Sequence, residues 1–254
     1  MYNGSMLVGI KVGSSLLTDD EGVSRDYLFS LCDQIAWLKS LYQRVFLVTS
    51  GAVASEPLDG LTSNLRAAIG QASLIGEYRK FFEPYGIKVA QILVADNDFN
   101  KNHDTIAVRT IEEALELNFR WIIPIINAND VVSDKELEAL SICADNDRLS
   151  QLICERLGVV DIMIIGMDEE GLKNEKNQVV HLITRKDSLK TLFSYAGSGS
   201  EKGFGNDGMK TKISVAYHLM KLGIRVVLAP GRAKDFILRA VAGEDNFGTT
   251  FLPG

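Results

Sequence analysis

Short β-branched apolar runs alternate with longer helical patterns along the whole of this 254-residue chain, and that alternation leaves few architectures open. The runs fall at residues 7–12, 45–48, 87–94, 121–126, 160–165 and 224–228, with 249–252 last in the series. Between the first two, Leu28, Leu31, Ile35, Leu38 and Leu41 recur at helical spacing. Further helical patterns cover 65–82, 107–117, 147–157, 186–195 and 209–222, the first of these stopped by Pro84 and Gly86. Strands separated by helices pair in parallel through crossovers, so the expected fold is α/β, a mostly parallel sheet with helices on both faces. Pro124 inside the fourth run is a conflict, because proline removes a ladder donor. Residues 172–184 read as an exposed hairpin or extended excursion. No linker, repeat or low-complexity tract appears, so residues 1–254 are expected to form one domain. A chain of this length buries roughly 70–75% of its unfolded surface and needs no disulfide or metal to hold a core.

Composition excludes several function classes. A formal charge of −6 argues against non-specific nucleic-acid binding, which depends on a basic surface. Cys32, Cys143 and Cys154 form no CxxC pair, and reduced thiols in a cytoplasmic protein account for them. His103, His181 and His218 match no metal-ligand spacing, so no metal held by protein side chains is expected. No apolar run reaches membrane-spanning length, and the N-terminus lacks a charged region followed by a long apolar one.

Within the first run, Lys11 is out of place, since an unpartnered buried charge is expensive. Gly13-Ser14-Ser15 follows at once and can close backbone N–H groups around an anion. A phosphate partner and a nearby carboxylate partner are equally good readings of Lys11. Ligands of parallel sheets bind outside the carboxyl ends of the strands. At those ends lie Ser50-Gly51-Ala52, Asn127-Ala128-Asn129-Asp130 and Gly166-Met167-Asp168. Amides and carboxylates such as Asn127, Asp130 and the later Asp145-Asn146-Asp147 can orient an amino acid, although Asp147 reads equally well as a helix N-cap. Gly203–Gly208 spells GxGxxG, but no strand precedes it and no acidic residue lies about twenty positions on, so it is not a dinucleotide fingerprint. It is a glycine loop opening a helix that carries Lys210 and Lys212, able to approach a polyphosphate.

Six segments in order resemble the amino-acid kinase family over nearly the whole chain, and within it the branch that phosphorylates glutamate. They are residues 10–18, 48–54, 68–71 (Ala-Ile-Gly-Gln), 124–133, 145–150 and 208–212. The resemblance implies a three-layer αβα sandwich around a mostly parallel eight-stranded central sheet. It implies transfer of the γ-phosphoryl group of ATP to the side-chain carboxylate of L-glutamate, with Mg²⁺ accompanying the nucleotide and proline as a feedback inhibitor. It also implies a homo-oligomer, dimer or tetramer, with no nucleic-acid or membrane partner. By position, Lys11 and Lys212 match the lysines that contact the transferring phosphoryl group, and Asp147 the carboxylate that organises them. Ser50, Asp130 and Asn146 match glutamate-binding positions, and Asn127 joins them as a substrate-binding candidate from its place at a strand end. Lys11, Gly13, Met167, Asp168 and the loop Asn206, Asp207, Gly208, Met209, Lys210, Thr211 and Lys212 fall at nucleotide positions. Departures are Met167 for a threonine, Asp207 for a glycine and Ala144 for a glycine. The RNA-fold-like domain that many bacterial members append is not expected within these residues.

Such chemistry suits these residues. A carboxylate nucleophile is already ionised at neutral pH, so no catalytic base is needed. The obstacle is one anion approaching another, which two lysines and Mg²⁺ would offset. Alternatives are a family kinase acting on acetylglutamate, carbamate or a nucleoside monophosphate, or a non-catalytic amino-acid sensor. A sensor would need neither lysine. A nicotinamide oxidoreductase is disfavoured by the misplaced GxGxxG.

Overall fold

A computed structural model describes residues 5–19, 22–53, 55, 60–99, 105–116, 121–131, 145–197 and 206–254. His103, Cys143, Ala144 and the first glycines of the 203–208 loop lie outside the described residues. The strands are β1 (Leu7–Val12), β2 (Thr18–Asp19), β3 (Gly22–Val23), β4 (Arg44–Thr49), β5 (Lys88–Val94), β6 (Ile122–Ala128), β7 (Ile162–Met167), β8 (Leu182–Thr184), β9 (Arg225–Pro230) and β10 (Thr249–Leu252). The helices are α1 (Ser14–Leu17), α2 (Arg25–Ser40), α3 (Ser63–Phe82), α4 (Ile106–Ala114), α5 (Asn146–Leu157), α6 (Leu189–Gly197), α7 (Asn206–Lys221) and α8 (Phe236–Ala242).

Eight strands form one sheet in the order β5-β6-β4-β1-β7-β9-β10-β8, while β2 and β3 make a separate short hairpin. From β5 to β9 all neighbours are parallel; β10 runs antiparallel to β9, and β8 runs parallel to β10. The chain leaves β1 toward β4 and later returns to β7 on its other side, so the strand order reverses around β1, where such sheets bind ligands. Two apolar layers cover the sheet. Leu28, Leu31, Tyr78, Phe82 and Phe236, from α2, α3 and α8, pack on one face. Val108, Leu149, Ile153, Ile213 and Leu219, from α4, α5 and α7, pack on the other.

Side-chain alternation along β1 follows from this. Val8, Ile10 and Val12 enter the first layer, whereas Leu7 enters the second. Lys11 therefore shares the face of α5 and α7. Gly9 sits between Leu7 and Lys11 on that face because a Cβ there would lie 2.5 Å from Phe46 and 2.6 Å from the Met163 sulfur. Those two large side chains from the neighbouring strands close over the glycine and seal the sheet beneath the lysine.

Three local expectations change. The turn after β1 is wound into α1, a single helical turn. The 172–184 excursion does not stay exposed throughout: Leu172 is buried, Lys173 and Val179 form an antiparallel bridge, and β8 joins the sheet edge. Pro124 is tolerated because the ladder from β6 to β4 begins only at Ile125, one residue beyond the proline. Among the described residues no helix is long and apolar enough to cross a membrane.

Candidate active site

Lys11 and Lys212, 201 positions apart, converge on Asp147. Lys11 Nζ lies 2.7 Å from Asp147 Oδ1, and Lys212 Nζ donates to Oδ2 at 2.9 Å. The Lys11 contact is a short ion pair. The side chains are 8%, 4% and 19% exposed for Lys11, Asp147 and Lys212, so the pairing is mostly withdrawn from solvent. Of the two partners that the sequence left open for Lys11, this structure has the carboxylate. Burial by itself pushes the Asp147 carboxyl up, but the charges of Lys11 and Lys212 and their hydrogen bonds outweigh it and hold the group below the usual carboxylate range.

Local sequence explains each placement. Asp145 rather than Asp147 caps α5, its Oδ1 accepting from Asp147 N–H at 2.8 Å. That division frees the Asp147 side chain in the first turn to point back toward the sheet. On α7, Leu219 and Ala216 face the core and Lys212 lies between them in projection, whereas Lys210 is exposed on another side. Lys212 alone of the two helix lysines can thus reach inward. Gly208 is exposed, with nothing near the space a Cβ would take, and Thr211 is half-buried. Asn206 and Asp207 begin α7; their side chains are outside the description.

On the acceptor side, Ser50 is half-buried directly after β4, and Gly51 follows at φ +96°, a left-handed value that favours glycine. The Gly51 carbonyl accepts from Ser55 N–H at 2.7 Å and Ser55 Oγ at 2.6 Å. Asn127 is buried at the end of β6, its Oδ1 accepting from Ala128 N–H at 2.9 Å. The Asp130 carbonyl accepts from Asn64 Nδ2 at 3.1 Å. Asn146, at the start of α5, holds a buried Oδ1 without a hydrogen-bond partner among the described residues.

Gly13 lies beside the Lys11 ammonium, 3.7 Å from where a Cβ would stand. Met167 ends β7 almost fully buried in the apolar layer, and its carbonyl accepts from Gly231 N–H at 2.8 Å. Asp168 is half-exposed next to it and accepts from Arg232 Nε at 2.8 Å. Arg232 also donates through Nη2 to the Ser15 carbonyl at 2.5 Å, fastening the turn after β1 to the end of β7. The sequence reading missed Arg232. It follows the Pro230-Gly231 end of β9, so the strand-end rule applied to one more strand would have found it. Gly231 leaves room there for Leu16, whose Cδ1 would lie 2.4 Å from a Cβ.

A cavity of about 780 Å³ opens between the β2–β3 hairpin and α3, lined by Arg25, Glu77 and Lys80 among others. It contains none of Lys11, Asp147 or Lys212, so it is not where the converging charges act. Among the described residues no three His, Cys, Asp or Glu side chains gather as a metal site.

The sequence profile of the Amino acid kinase family matches residues 6–230. The chain belongs to the amino acid kinase family. It is 33% identical to glutamate 5-kinase of Pelobacter propionicus, over 97% of this chain and 67% of that protein. It is 34% identical to glutamate 5-kinase of Caldanaerobacter subterraneus subsp. tengcongensis, over 98% and 68%. The chain thus spans about two thirds of the length of these relatives. Among solved structures, N-acetylglutamate synthase from Neisseria gonorrhoeae superposes with a TM-score of 0.70 at 13% identity, over 97% of this chain and 59% of that one. Isopentenyl phosphate kinase superposes at 0.63 with 19% identity, over 96% and 99%. At such identities the two structures speak for the fold alone.

Proposed function

We propose that this chain transfers the γ-phosphoryl group of ATP to the side-chain carboxylate of L-glutamate, forming γ-glutamyl phosphate for proline synthesis. The observation that carries the proposal is the convergence of two ammonium groups on one buried carboxylate, beside strand-end loops rich in amide and hydroxyl groups. Membership of the family and about 33% identity to glutamate 5-kinases over nearly the whole chain support the same reading.

The roles follow from the charges. Glutamate's side chain arrives ionised, so the protein need not remove a proton. Lys11 and Lys212 would share the charge spread over the equatorial oxygens of the moving phosphoryl group. Asp147 keeps the two ammonium groups side by side despite their mutual repulsion. The bare Asn146 oxygen suits the α-ammonium of an amino acid, which brings three donors. Ser50, Asn127 and Asp130 would complete the acceptor side. Gly13, Met167, Asp168 and residues 206–212 would surround the nucleotide, with Met167 offering its backbone, since its side chain lies in the core. Two carboxylates of the site are already engaged, Asp147 by both lysines and Asp168 by Arg232. A Mg²⁺ ion would therefore be held through the phosphates of ATP, whose negative charge it would partly neutralise.

The same reading takes residues 1–254 as one kinase domain, in the cytoplasm, assembled as a dimer or tetramer and inhibited by proline. The test is ATP-dependent acyl-hydroxamate formation from glutamate plus hydroxylamine, with aspartate and acetylglutamate as controls. A glutamate-specific signal is expected. No such signal would remove the reading and favour a sensor.

A further inference from the structure

Helix α3 touches the loops after β4 and β6, two of the segments that the proposed function assigns to the acceptor. Asn64, in its first turn, donates through Nδ2 to the carbonyls of Asp130 and Val131, both at 3.1 Å. One and a half turns on, Gly70 presses against the carbonyl of Ala52 so closely that a Cβ would lie 1.7 Å from that oxygen. Gln71 Nε2 reaches the Ala128 carbonyl at 3.5 Å. Tyr78, fully buried, places its hydroxyl 3.0 Å from Thr49 Oγ1.

Either hydroxyl of the last contact can donate. The arrangement that satisfies both contacts has Thr49 Oγ1 donating to the Ser50 carbonyl, at 3.3 Å, and the Tyr78 hydroxyl donating to Thr49. Burial pushes the Tyr78 phenol well up, so it keeps that proton throughout the physiological range. The result is a one-way chain, Tyr78 to Thr49 to the Ser50 carbonyl, ending on the peptide that enters the left-handed Gly51. The space enclosed by Thr49, Gln71, Tyr78, Gln91 and Asn127 is only about 10 Å³. That is the size of one water at most, so no substrate enters among these groups. Their effect on a substrate must pass through the loops.

We infer that Tyr78 is a positioning residue for the phosphoryl acceptor, setting through Thr49 the orientation of the Ser50–Gly51 peptide against which glutamate binds. This rests on the proposed glutamate reading. The chain touches neither lysine and no nucleotide-side residue, so it acts on one substrate alone.

The experiment is steady-state hydroxamate kinetics on the full chain, varying glutamate and ATP separately, alongside thermal melts. Tyr78→Phe keeps the ring and its stacking on Phe82 but removes the donor. Loss of one net hydrogen bond corresponds to a rise of about 3- to 10-fold in glutamate KM, with ATP KM within about twofold of wild type. Thr49→Val should do the same, Thr49→Ser should restore wild-type values, and the double variant should be no worse than the weaker single. An unchanged glutamate KM in Tyr78→Phe overturns the inference, as does an equal rise for both substrates. Should Tyr78→Phe fail to fold, the Thr49→Val and Thr49→Ser pair decides, and equal glutamate KM in those two overturns it. A wild-type protein that makes no glutamate hydroxamate removes the glutamate reading and this inference with it.

Discussion

Replacing Asp147 by asparagine tests the charge arrangement directly, because the side chain keeps its shape and only the negative charge leaves. In the wild type two ammonium groups sit 2.7 and 2.9 Å from the carboxylate oxygens. At an effective dielectric of about 20, each contact is worth roughly 6 kcal/mol of gross attraction. Much of that offsets the desolvation of three charges, and breaking a buried pair by removing one partner costs about 3–5 kcal/mol. Lys212 is 19% exposed and can turn its ammonium toward water, which places Asp147→Asn near the lower end, about 3 kcal/mol. For a domain of this size that corresponds to a fall in Tm of about 6–12 °C. The pH dependence has a fixed sign. Asp147 is held below its ordinary pKa, so its contribution is complete above the unfolded value of about 3.9 and is lost as pH falls through the lower folded value. The gap between wild type and variant should be flat from about pH 5 to 8 and shrink below about 4. Thermal and denaturant unfolding across that range, with hydroxamate turnover at pH 7, are the assays; turnover should fall by at least about 10²-fold. A variant melting within about 2 °C of wild type and turning over normally would refute the reasoning.

Three further outcomes are expected. Lys11→Ala and Lys212→Ala should each lose ~10²–10³ in kcat, measured by single-substrate kinetics, since each removes one preorganised cation. Lys39, buried at the end of α2, has its pKa lowered to about 8 by desolvation, so it is charged and penalised at neutral pH. Lys39→Met should therefore stabilise the fold at pH 7 by about 1–3 kcal/mol in urea unfolding. The gain should fade as pH rises from about 8 to 10.4, because the unfolded lysine binds its proton more tightly and wild-type stability climbs there. Arg232→Ala should raise ATP KM by about 3- to 10-fold and leave Tm within about 2 °C, because a half-exposed ion pair contributes little stability.

The layers of the fold were legible because the apolar periods of strands and helices are long and regular, as in 162–167 or 25–40. Lys11 was legible for the opposite reason, as a charge that breaks such a period. Its partner was not, because Asp147 lies 136 residues away and nothing in spacing says which carboxylate will face it. Asp147 itself was ambiguous, since both it and Asp145 are competent caps, and only the turn geometry gives that task to Asp145. Arg232 went unseen because the end of β9 was left out of the strand-end reading. Tyr78 went unseen for a different cause: it works, by way of Thr49, through the Ser50 carbonyl, and carbonyls have no sequence signature. Gly9 and Gly70 were visible as glycines, but the close neighbours that demand them belong to other elements.

Two lysines and one aspartate leave a resident charge of +1 where bare lysines would present +2. In the proposed function, stray phosphate or a spent nucleotide would meet a shallower electrostatic well than two bare lysines present, and full grip on an incoming polyphosphate would require the ammonium tips to swing partly off their internal counterion.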